Sequence, residues 1–192
     1  MDHRQRLKAL LVERSLELGD FTLASGERSS YYIDARRSTM SAEGQFLVGH
    51  VAHARIRDAG LQPQFVGGLT MGADPIAYAV AHRSWMEGDP LNAFSVRKQA
   101  KSHGSGGRVE GGLPSGSPVV VVEDTLTTGG SALAAVSALA TMGCPILAVL
   151  TLVDREAGGR EQLEAAGHEL LSLFTARELL ETAGVEDLPT PS

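Results

Sequence analysis

Acidic, hydroxyl-bearing and glycine residues are concentrated in one stretch of this sequence. Two carboxylates, Glu123 and Asp124, stand at its start, and the turn residues that follow are Thr127, Thr128, Gly129, Gly130 and Ser131. Glycines let a backbone approach a ligand closely, and hydroxyls donate hydrogen bonds to a phosphate. Since the two carboxylates would repel bare phosphate, the ligand must also carry hydroxyls or developing positive charge. A phosphorylated sugar meets both demands, with its phosphate in the turn and its ribose hydroxyls against the acids.

The segments on either side of this stretch predict a strand before it and a helix after it. Four valines, residues 119–122, follow Pro118, and a short β-branched run of this kind is typical of a strand buried on both faces of a parallel sheet. The apolar residues 132–139 have helical character. Because the first amides of a helix lack internal partners and its dipole favours negative charge, the turn between them is predicted to bind an anion. An ordinary strand-to-helix connection is the alternative, and the spacing fits neither a Walker loop nor a dinucleotide fingerprint.

A second segment repeats the order of strand, glycine turn and helix. Phe65 and Val66 begin a predicted strand that continues into the glycine-rich residues 67–75, and an apolar helix is expected from 76 to 85. Asp74 before Pro75 predicts the helix N-cap. Two such turns suit a ligand with two phosphate groups.

Cationic residues cluster in one loop of a chain that is acidic overall. A predicted strand, residues 91–96, is followed by Arg97, Lys98, Lys101 and His103, and then by a glycine-rich tract that ends at Pro118. A loop of this length in a compact domain is usually a functional lid or a disordered insertion. A solvated basic loop without a ligand is the alternative.

An aromatic pair lies in a predicted hairpin near the N-terminus. Residues 21–26 and 29–34 read as two short strands. The adjacent Tyr31 and Tyr32 point to opposite faces of such a strand, so that one can pack inward while the other covers a planar ring. Ordinary hairpin aromatics are the alternative, and the sequence leaves open which tyrosine would contact a ligand.

A charged pair ends another predicted strand. The apolar residues 145–153 are followed by Asp154 and Arg155. Arg155 either forms an ion pair with Asp154 or uses its planar fork to bind a carboxylate or carbonyl edge of a ligand.

The rest of the chain supplies packing elements. Amphipathic helices are predicted over residues 2–18, with Asp2 and Gln5 as a capping pair, and over 41–59, with Ser41 as the N-cap. His50 and His53 on the second helix have no cysteine or carboxylate clustered with them and are expected to be packed or solvated histidines rather than metal ligands. A last short helix and strand are expected over 163–173, followed by a capping box at residues 175–178. Alternating strands and helices predict an α/β fold that binds ligands along the carboxyl edge of a mostly parallel sheet.

Composition excludes several classes of protein. The 192 residues are 43% hydrophobic, which is enough for a sizeable core. A net charge of −6 and an isoelectric point near 5.5 argue against a general nucleic-acid or anionic-membrane binder. The charged first twenty residues predict no signal peptide, and no apolar run approaches membrane-spanning length. The single Cys144 excludes an internal disulfide and fits a reducing cytosol.

Three motifs together resemble one enzyme family. Residues 123–131, Glu-Asp-Thr-Leu-Thr-Thr-Gly-Gly-Ser, resemble the phosphoribosyl pyrophosphate motif of the type I phosphoribosyltransferases. The hairpin pattern Phe-x-Leu-x-Ser-Gly with its aromatic pair, and the loop pattern Arg-Lys-x-x-Lys-x-His at 97–103, are similar to those of orotate phosphoribosyltransferases. The resemblance covers roughly residues 21–155.

The resemblance implies a fold and a set of site residues. It implies an α/β fold with a mostly parallel central sheet flanked by helices, in a single domain of residues 1–192 whose small N-terminal hood (about 1–40) covers a core (about 41–185). Orotate would contact Tyr31, Tyr32, Thr127 and Arg155, and the catalytic residues would be Lys101, Glu123 and Asp124. Phosphoribosyl pyrophosphate would be bound by Arg97, Lys98, Lys101, His103, Glu123, Asp124, Thr125, Leu126, Thr127, Thr128, Gly129, Gly130 and Ser131.

The resemblance also implies an activity and partners. The activity is the transfer of phosphoribose to orotate. Mg²⁺ would be bound mainly through the substrate, with no protein metal site. The protein would be a cytoplasmic homodimer that shares the loop around Lys101 between subunits. No nucleic-acid or membrane partner is expected. Two positions depart from the family, because Ala24 and the segment near Gly72 lack lysines that some members carry. A phosphoribosyltransferase for another base, or a regulator that binds phosphoribosyl pyrophosphate without turning it over, are the alternatives.

Overall fold

A computed structural model describes residues 2–22, 28–99 and 107–185 of the chain. The elements in chain order are α1 (His3–Arg14), β1 (Leu16–Thr22), β2 (Arg28–Ile33), α2 (Arg36–Thr39), α3 (Ala42–Asp58), β3 (Phe65–Leu69), α4 (Ala73–Met86), β4 (Asn92–Val96), β5 (Val109–Glu110), β6 (Val119–Leu126), α5 (Gly130–Ala140), β7 (Ile146–Asp154), α6 (Gly159–Ala165), β8 (Leu170–Thr175) and α7 (Ala176–Thr182).

Six of these strands form one sheet in the order β5-β4-β3-β6-β7-β8. Every neighbouring pair is parallel except β4 and β5, so the predicted mostly parallel sheet is confirmed. The central strand is β6, which begins level with its neighbours, since Val119 lies beside Phe65 of β3 and Ile146 of β7. The carboxyl ends of these three strands therefore meet at the same edge of the sheet.

Hydrophobic side chains cover both faces of the sheet. Val120 and Val122 pack into a cluster that includes the buried faces of α1, α3, α4 and α7. Val119 and Val121 pack into a second cluster, with α5 and α6. This alternation along one strand confirms that β6 is buried on both sides, and each such valine stabilises the fold by roughly 1.5–3 kcal/mol.

The N-terminal hood is a two-stranded antiparallel sheet of β1 and β2. The predicted helix over residues 2–18 is wrong beyond Arg14, because the chain turns at Ser15 and continues as β1. Leu18 continues the helical spacing of the buried Leu7 and Leu11, but it lies opposite Tyr31 in the hairpin and is 57% exposed. Pairing with β2 therefore decides the structure of this segment against its local pattern. The Asp2 side chain also makes no capping hydrogen bond.

Other local predictions are confirmed. The Ser41 hydroxyl accepts the Gly44 N–H at the start of α3, and Thr175 with Glu178 forms the capping box of α7. The long loop after β4 is less irregular than expected, since β5 pairs with Ser95 and Val96 of β4. The tract at 100–106 and the tail at 186–192 lie outside the described residues. No helix in the described ranges has the length and apolar character needed to cross a bilayer.

Candidate functional site

A cavity of about 1280 Å³ opens at the carboxyl ends of β3, β4 and β6. Its walls come from three parts of the fold. One is the end of β6 with the start of α5, the second is the turn between β3 and α4 together with the end of β4, and the third is the hood side at β2 and α2. Of the predicted acidic stretch at 123–131, the residues that line this cavity are Glu123, Asp124, Thr125 and Ser131.

The two acids at the end of β6 have different environments. Glu123 is 7% exposed, and its Oε2 atom has no hydrogen-bond partner. Burial, reinforced by the charge of the neighbouring Asp124, raises the pKa of Glu123 to about 9. Glu123 is therefore protonated at neutral pH and can donate a hydrogen bond. Asp124 lies half-buried on the cavity wall, where its Oδ1 accepts the Thr125 N–H at 3.0 Å.

The turn after β6 has the geometry of an anion site. Gly129 is the N-cap of α5 and has a φ of +83°, which favours glycine, and a β-carbon there would lie 3.2 Å from the Gly159 carbonyl oxygen. No side chain caps this end of α5. The first amides of the helix are thus left for a ligand. Thr125 and Ser131 line the cavity. Between them, Leu126 is buried at the end of β6, Thr127, Thr128 and Gly129 form the turn, and Gly130 begins α5. These five predicted site residues do not line the cavity.

The turn before α4 lies against the acid pair. A β-carbon on Gly72 would lie only 2.3 Å from Oδ1 and 2.6 Å from Oδ2 of Asp124. Because a larger residue would fill the space that the Asp124 carboxylate occupies, the absence of a side chain at Gly72 allows this carboxylate to lie where it does. Thr70 and Met71 continue this wall of the cavity.

Asp74 connects this turn to β4 instead of capping the helix. The structure contradicts the predicted N-cap, since α4 begins at Ala73 and Gly72 occupies the cap position. The Asp74 carboxylate accepts the Thr70 hydroxyl at 2.6 Å and the Ser95 hydroxyl at 2.6 Å. Ser95 Oγ also lies 3.2 Å from the Tyr78 hydroxyl. Sequence reasoning missed this cavity-lining network, whose only signal was that Thr70 and Ser95 stand at the carboxyl ends of predicted strands.

The basic loop begins on the cavity wall. Arg97 and Lys98 follow β4 and line the cavity. Arg97 pairs with Glu110 of β5 at 3.3 Å, and its backbone N–H donates to the Arg108 carbonyl at 2.7 Å. These bonds hold the root of the loop at the site. The predicted site residues Lys101 and His103 lie outside the described residues.

Tyr31 and Tyr32 of the hood strand β2 have different environments. Tyr32 is 38% exposed and lines the cavity, whereas Tyr31 is 7% exposed and packs in the core. Arg155 places its guanidinium 4.8 Å from the centre of the Tyr31 ring and donates from Nη2 to Ser29 Oγ at 3.4 Å. Its Nε is buried without a hydrogen-bond partner, and the residue does not line the cavity. The ion pair of Asp154 is made with Arg160 rather than with Arg155.

Asp34 and Arg36 are cavity residues that the sequence analysis did not select. They follow β2 directly and form an ion pair at 2.8 Å. The signal available in the sequence was a charged Asp-x-Arg triplet one residue after the tyrosine pair, following Ile33.

Histidines and carboxylates do not combine into a metal site in the described ranges. No group of three His, Cys, Asp or Glu side chains there is arranged to hold an ion. His50 Nδ1 lies 2.7 Å from the Phe46 carbonyl oxygen, and His53 is buried in α3.

Comparisons with known proteins match one family over most of the chain. The model of the phosphoribosyl transferase domain matches residues 41–166. The orotate phosphoribosyltransferase of Aquifex aeolicus is 44% identical over 183 residues, which cover 94% of this chain and 99% of the relative. That of Rhodopirellula baltica is 42% identical over 90% of this chain and 91% of the relative.

Solved structures show the same likeness. The Mycobacterium tuberculosis orotate phosphoribosyltransferase in complex with Fe(III) dicitrate superposes with a TM-score of 0.82 at 40% identity, covering 93% of this chain and 99% of the other. The same enzyme in complex with phosphoribosyl pyrophosphate gives 0.79 at 38% identity, with the same shares covered.

The raised pKa of Glu123 leads to a prediction about the stability of the fold. We expect Glu123→Gln to raise the free energy of unfolding at about pH 8 and to leave it unchanged at about pH 4. Folded Glu123 keeps its proton up to about pH 9, whereas the unfolded chain releases it near the ordinary value of 4.5. Between these values the unfolded state binds fewer protons, so the stability of the wild type falls as the pH rises through that window.

Chemical denaturation of both proteins across this pH range measures the difference. Glu181→Gln, in the exposed part of α7, is the matched control for loss of a carboxyl group. A difference between wild type and Glu123→Gln that stayed constant with pH would contradict the assignment of a protonated Glu123.

Proposed function

Since the chain belongs to the phosphoribosyltransferase domain family, we propose that its strand-end cavity is the active site of an orotate phosphoribosyltransferase. The enzyme transfers the 5-phosphoribosyl group of phosphoribosyl pyrophosphate to orotate, giving orotidine 5′-monophosphate and pyrophosphate for pyrimidine biosynthesis. The observation that carries the site assignment is the position of Asp124, which faces the cavity between two glycine turns. A ligand held there meets phosphate donors on both sides and acids in the middle.

The acid pair acts on the sugar. Breakage of the bond between ribose C1 and the pyrophosphate oxygen builds positive charge on the ribose before orotate nitrogen forms the new bond. The Asp124 carboxylate accepts ribose hydroxyls and stabilises this charge. Protonated Glu123 can donate to the sugar or to its neighbour, which lets the two acids lie side by side without repulsion between two full charges.

The two turns divide the phosphates. Residues 125–131 receive the 5′-phosphate, whose charge is stabilised by the uncapped amides of α5 and by the hydroxyls of Thr127, Thr128 and Ser131. The turn at residues 70–72, at the uncapped start of α4, receives the pyrophosphate through its backbone amides. This arrangement supplies contacts that a lysine makes in some family members.

The basic loop acts on the leaving group. Arg97 and Lys98 on the wall, with Lys101 and His103 further along the loop, take up the negative charge that develops on pyrophosphate. Closure of the loop excludes water, which would otherwise hydrolyse the activated sugar.

The hood binds the base. The exposure of Tyr32 in the cavity supports it as the tyrosine that covers the orotate ring, while Tyr31 supports the Arg155 guanidinium through its ring face. Thr127 and Arg155, which the family resemblance assigns to orotate but which do not line the cavity, would contact the polar edge of the base once the ligand is bound.

The residues of the cavity fit a magnesium ion carried mainly by the substrate. Mg²⁺ prefers oxygen ligands and retains waters, and the cavity offers the half-buried Asp124 carboxylate beside the place for the ribose and pyrophosphate oxygens. When bound, the ion supplies positive charge that offsets the charge of the departing pyrophosphate.

The proposal includes a homodimeric, cytoplasmic enzyme with one domain, residues 1–192, in which the loop around Lys101 reaches the site of the partner subunit. Large exposed apolar side chains on α3 and α4, including Phe46 and Trp85, support an interface with a second copy. The free, buried Cys144 is compatible with a reducing compartment.

The base specificity tests the function. The protein is incubated with phosphoribosyl pyrophosphate, Mg²⁺ and a panel of purine and pyrimidine bases, and pyrophosphate release is followed. Orotate is expected to give the largest kcat/KM. Release with a purine alone would indicate another phosphoribosyltransferase, and binding without release for any base would indicate a regulator.

The role proposed for Lys101 in the basic loop leads to a second prediction. Lys101→Ala is expected to lower turnover about 10- to 150-fold, because one charge-assisted contact contributes roughly 1.5–3 kcal/mol. Lys8→Ala, on α1, is the matched control. Steady-state kinetics equal to wild type for Lys101→Ala would refute the assignment of the loop.

Mixing variants tests the shared loop. If the loop acts across the dimer, Lys101→Ala mixed with Asp124→Asn recovers activity, since a hybrid dimer holds one site with both residues intact. No recovery after subunit exchange has been verified by mass spectrometry would mean that the loop acts within its own subunit.

The close approach of Gly72 to the Asp124 carboxylate leads to a further prediction. Gly72→Ala is expected to lower kcat/KM by at least about tenfold, because the added methyl group displaces the Asp124 carboxylate from the sugar. Thermal unfolding checks that the variant folds. Wild-type kcat/KM in folded Gly72→Ala would show that Asp124 does not need its observed position.

A further inference from the structure

Arg36 is a cation on the hood side of the cavity. It is the first residue of α2 and follows the hood strand β2 by three positions. Its side chain is 44% exposed and lines the cavity together with Tyr32 and Asp124. Arg36 belongs neither to the two glycine turns nor to the basic loop. The anion-binding roles proposed for those segments therefore do not explain why this guanidinium lies in the cavity.

Asp34 fixes the orientation of this guanidinium. Arg36 donates from Nε to Asp34 Oδ1 at 2.8 Å and from Nη2 to Oδ2 at 3.3 Å, and its backbone N–H reaches Oδ1 at 3.2 Å. The Asp34 side chain is only 20% exposed. This two-point contact uses one edge of the guanidinium and leaves the Nη1 edge for a ligand. Since the fork is held before a ligand arrives, little side-chain freedom remains to be lost on binding.

The charges around the cavity are distributed unevenly. Asp74, Glu123 and Asp124 lie on or beside the central strands, and the described cations opposite the hood are Arg97 and Lys98 at the root of the basic loop. On the hood side, Arg36 is the cation that lines the cavity in the described ranges. Arg155, the other guanidinium near the hood, is engaged with Tyr31 and Ser29 and does not line it. Asp34 and Glu110 also line the cavity, where they pair with Arg36 and Arg97 respectively. An anionic group that entered next to Tyr32 would therefore be bound by the Nη1 edge of Arg36, which the contact with Asp34 does not use.

We infer that Arg36, oriented by Asp34, binds the carboxylate of the acceptor base while Tyr32 covers the ring, and thereby selects a carboxylated pyrimidine over an uncharged one. The inference deepens the proposed transferase function and rests on it. The chemistry fits because a guanidinium edge and a carboxylate have matching planar geometry, and because the Asp124 carboxylate would otherwise repel the carboxylate of the base. Asp34 is a positioning residue in this arrangement, and Arg36 touches the substrate.

Kinetics that vary one substrate at a time test the inference. In Arg36→Gln the KM for orotate is expected to rise at least about tenfold, while the KM for phosphoribosyl pyrophosphate changes less than about twofold. The preference for orotate over uracil, measured as the ratio of kcat/KM values, falls by the same factor as orotate binding. Arg36→Lys keeps the charge without the fork and recovers part of the loss, and Asp34→Asn shows a smaller rise in the KM for orotate.

The neighbouring arginine is the matched control. Arg37 also lies on α2, but it pairs with Glu17 on the hood and does not line the cavity. Arg37→Gln is therefore expected to keep the wild-type KM for both substrates. Thermal unfolding of each variant checks the fold.

The outcomes separate the inference from the function on which it rests. A wild-type protein that does not use orotate overturns both. An active wild type with an unchanged KM for orotate in Arg36→Gln overturns the inference alone. A loss that affects both substrates and uracil equally also overturns it, since this is the pattern of a purely structural role.

Discussion

The contact between Gly72 and the Asp124 carboxylate is the constraint on which the site depends. A β-carbon at position 72 would lie 2.3 Å from the carboxylate oxygen Oδ1, so the Asp124 carboxylate can keep its observed position only because Gly72, in the turn before α4, has no side chain. The parallel sheet brings these two residues together, since β3 and β6 are hydrogen-bonded neighbours whose carboxyl ends lie at the same edge. A ligand bound at one turn is consequently within reach of the other, and Asp124 stands between them.

The charged groups around that contact suit a substrate that carries both negative phosphates and a sugar that becomes positively charged. The buried Glu123 stays protonated and Asp124 faces the cavity, so under the proposed function the centre of the site would accept hydroxyls and a cationic sugar. Uncapped helix starts and the root of the basic loop surround this centre with groups that attract phosphate. Under the proposed function, the separation of acids and anion-binding groups by a few residues would let one molecule with phosphates at both ends of a ribose fit.

Several features of the site followed from local sequence because their causes are local. The buried valine strand and the carboxyl-end placement of the acids depend on residues that are neighbours in the chain. The errors have a different cause. Leu18 fits a helical spacing, but the hairpin partner Tyr31 draws it into a strand. Asp74 has the sequence of an N-cap, but Ser95 from the next strand supplies a hydrogen bond that holds it elsewhere.

By itself the sequence determined the chemistry at the edge of the sheet: an α/β order of elements, two anion turns and an acid pair, all written in contiguous residue types. The tertiary structure decided which groups face one another. It turned Tyr32 rather than Tyr31 into the cavity, paired Asp154 with Arg160, and brought Arg36 to the same cavity as Asp124. These outcomes depend on contacts between segments far apart in the chain, and no local pattern of residues specifies the direction in which a side chain will find its partner.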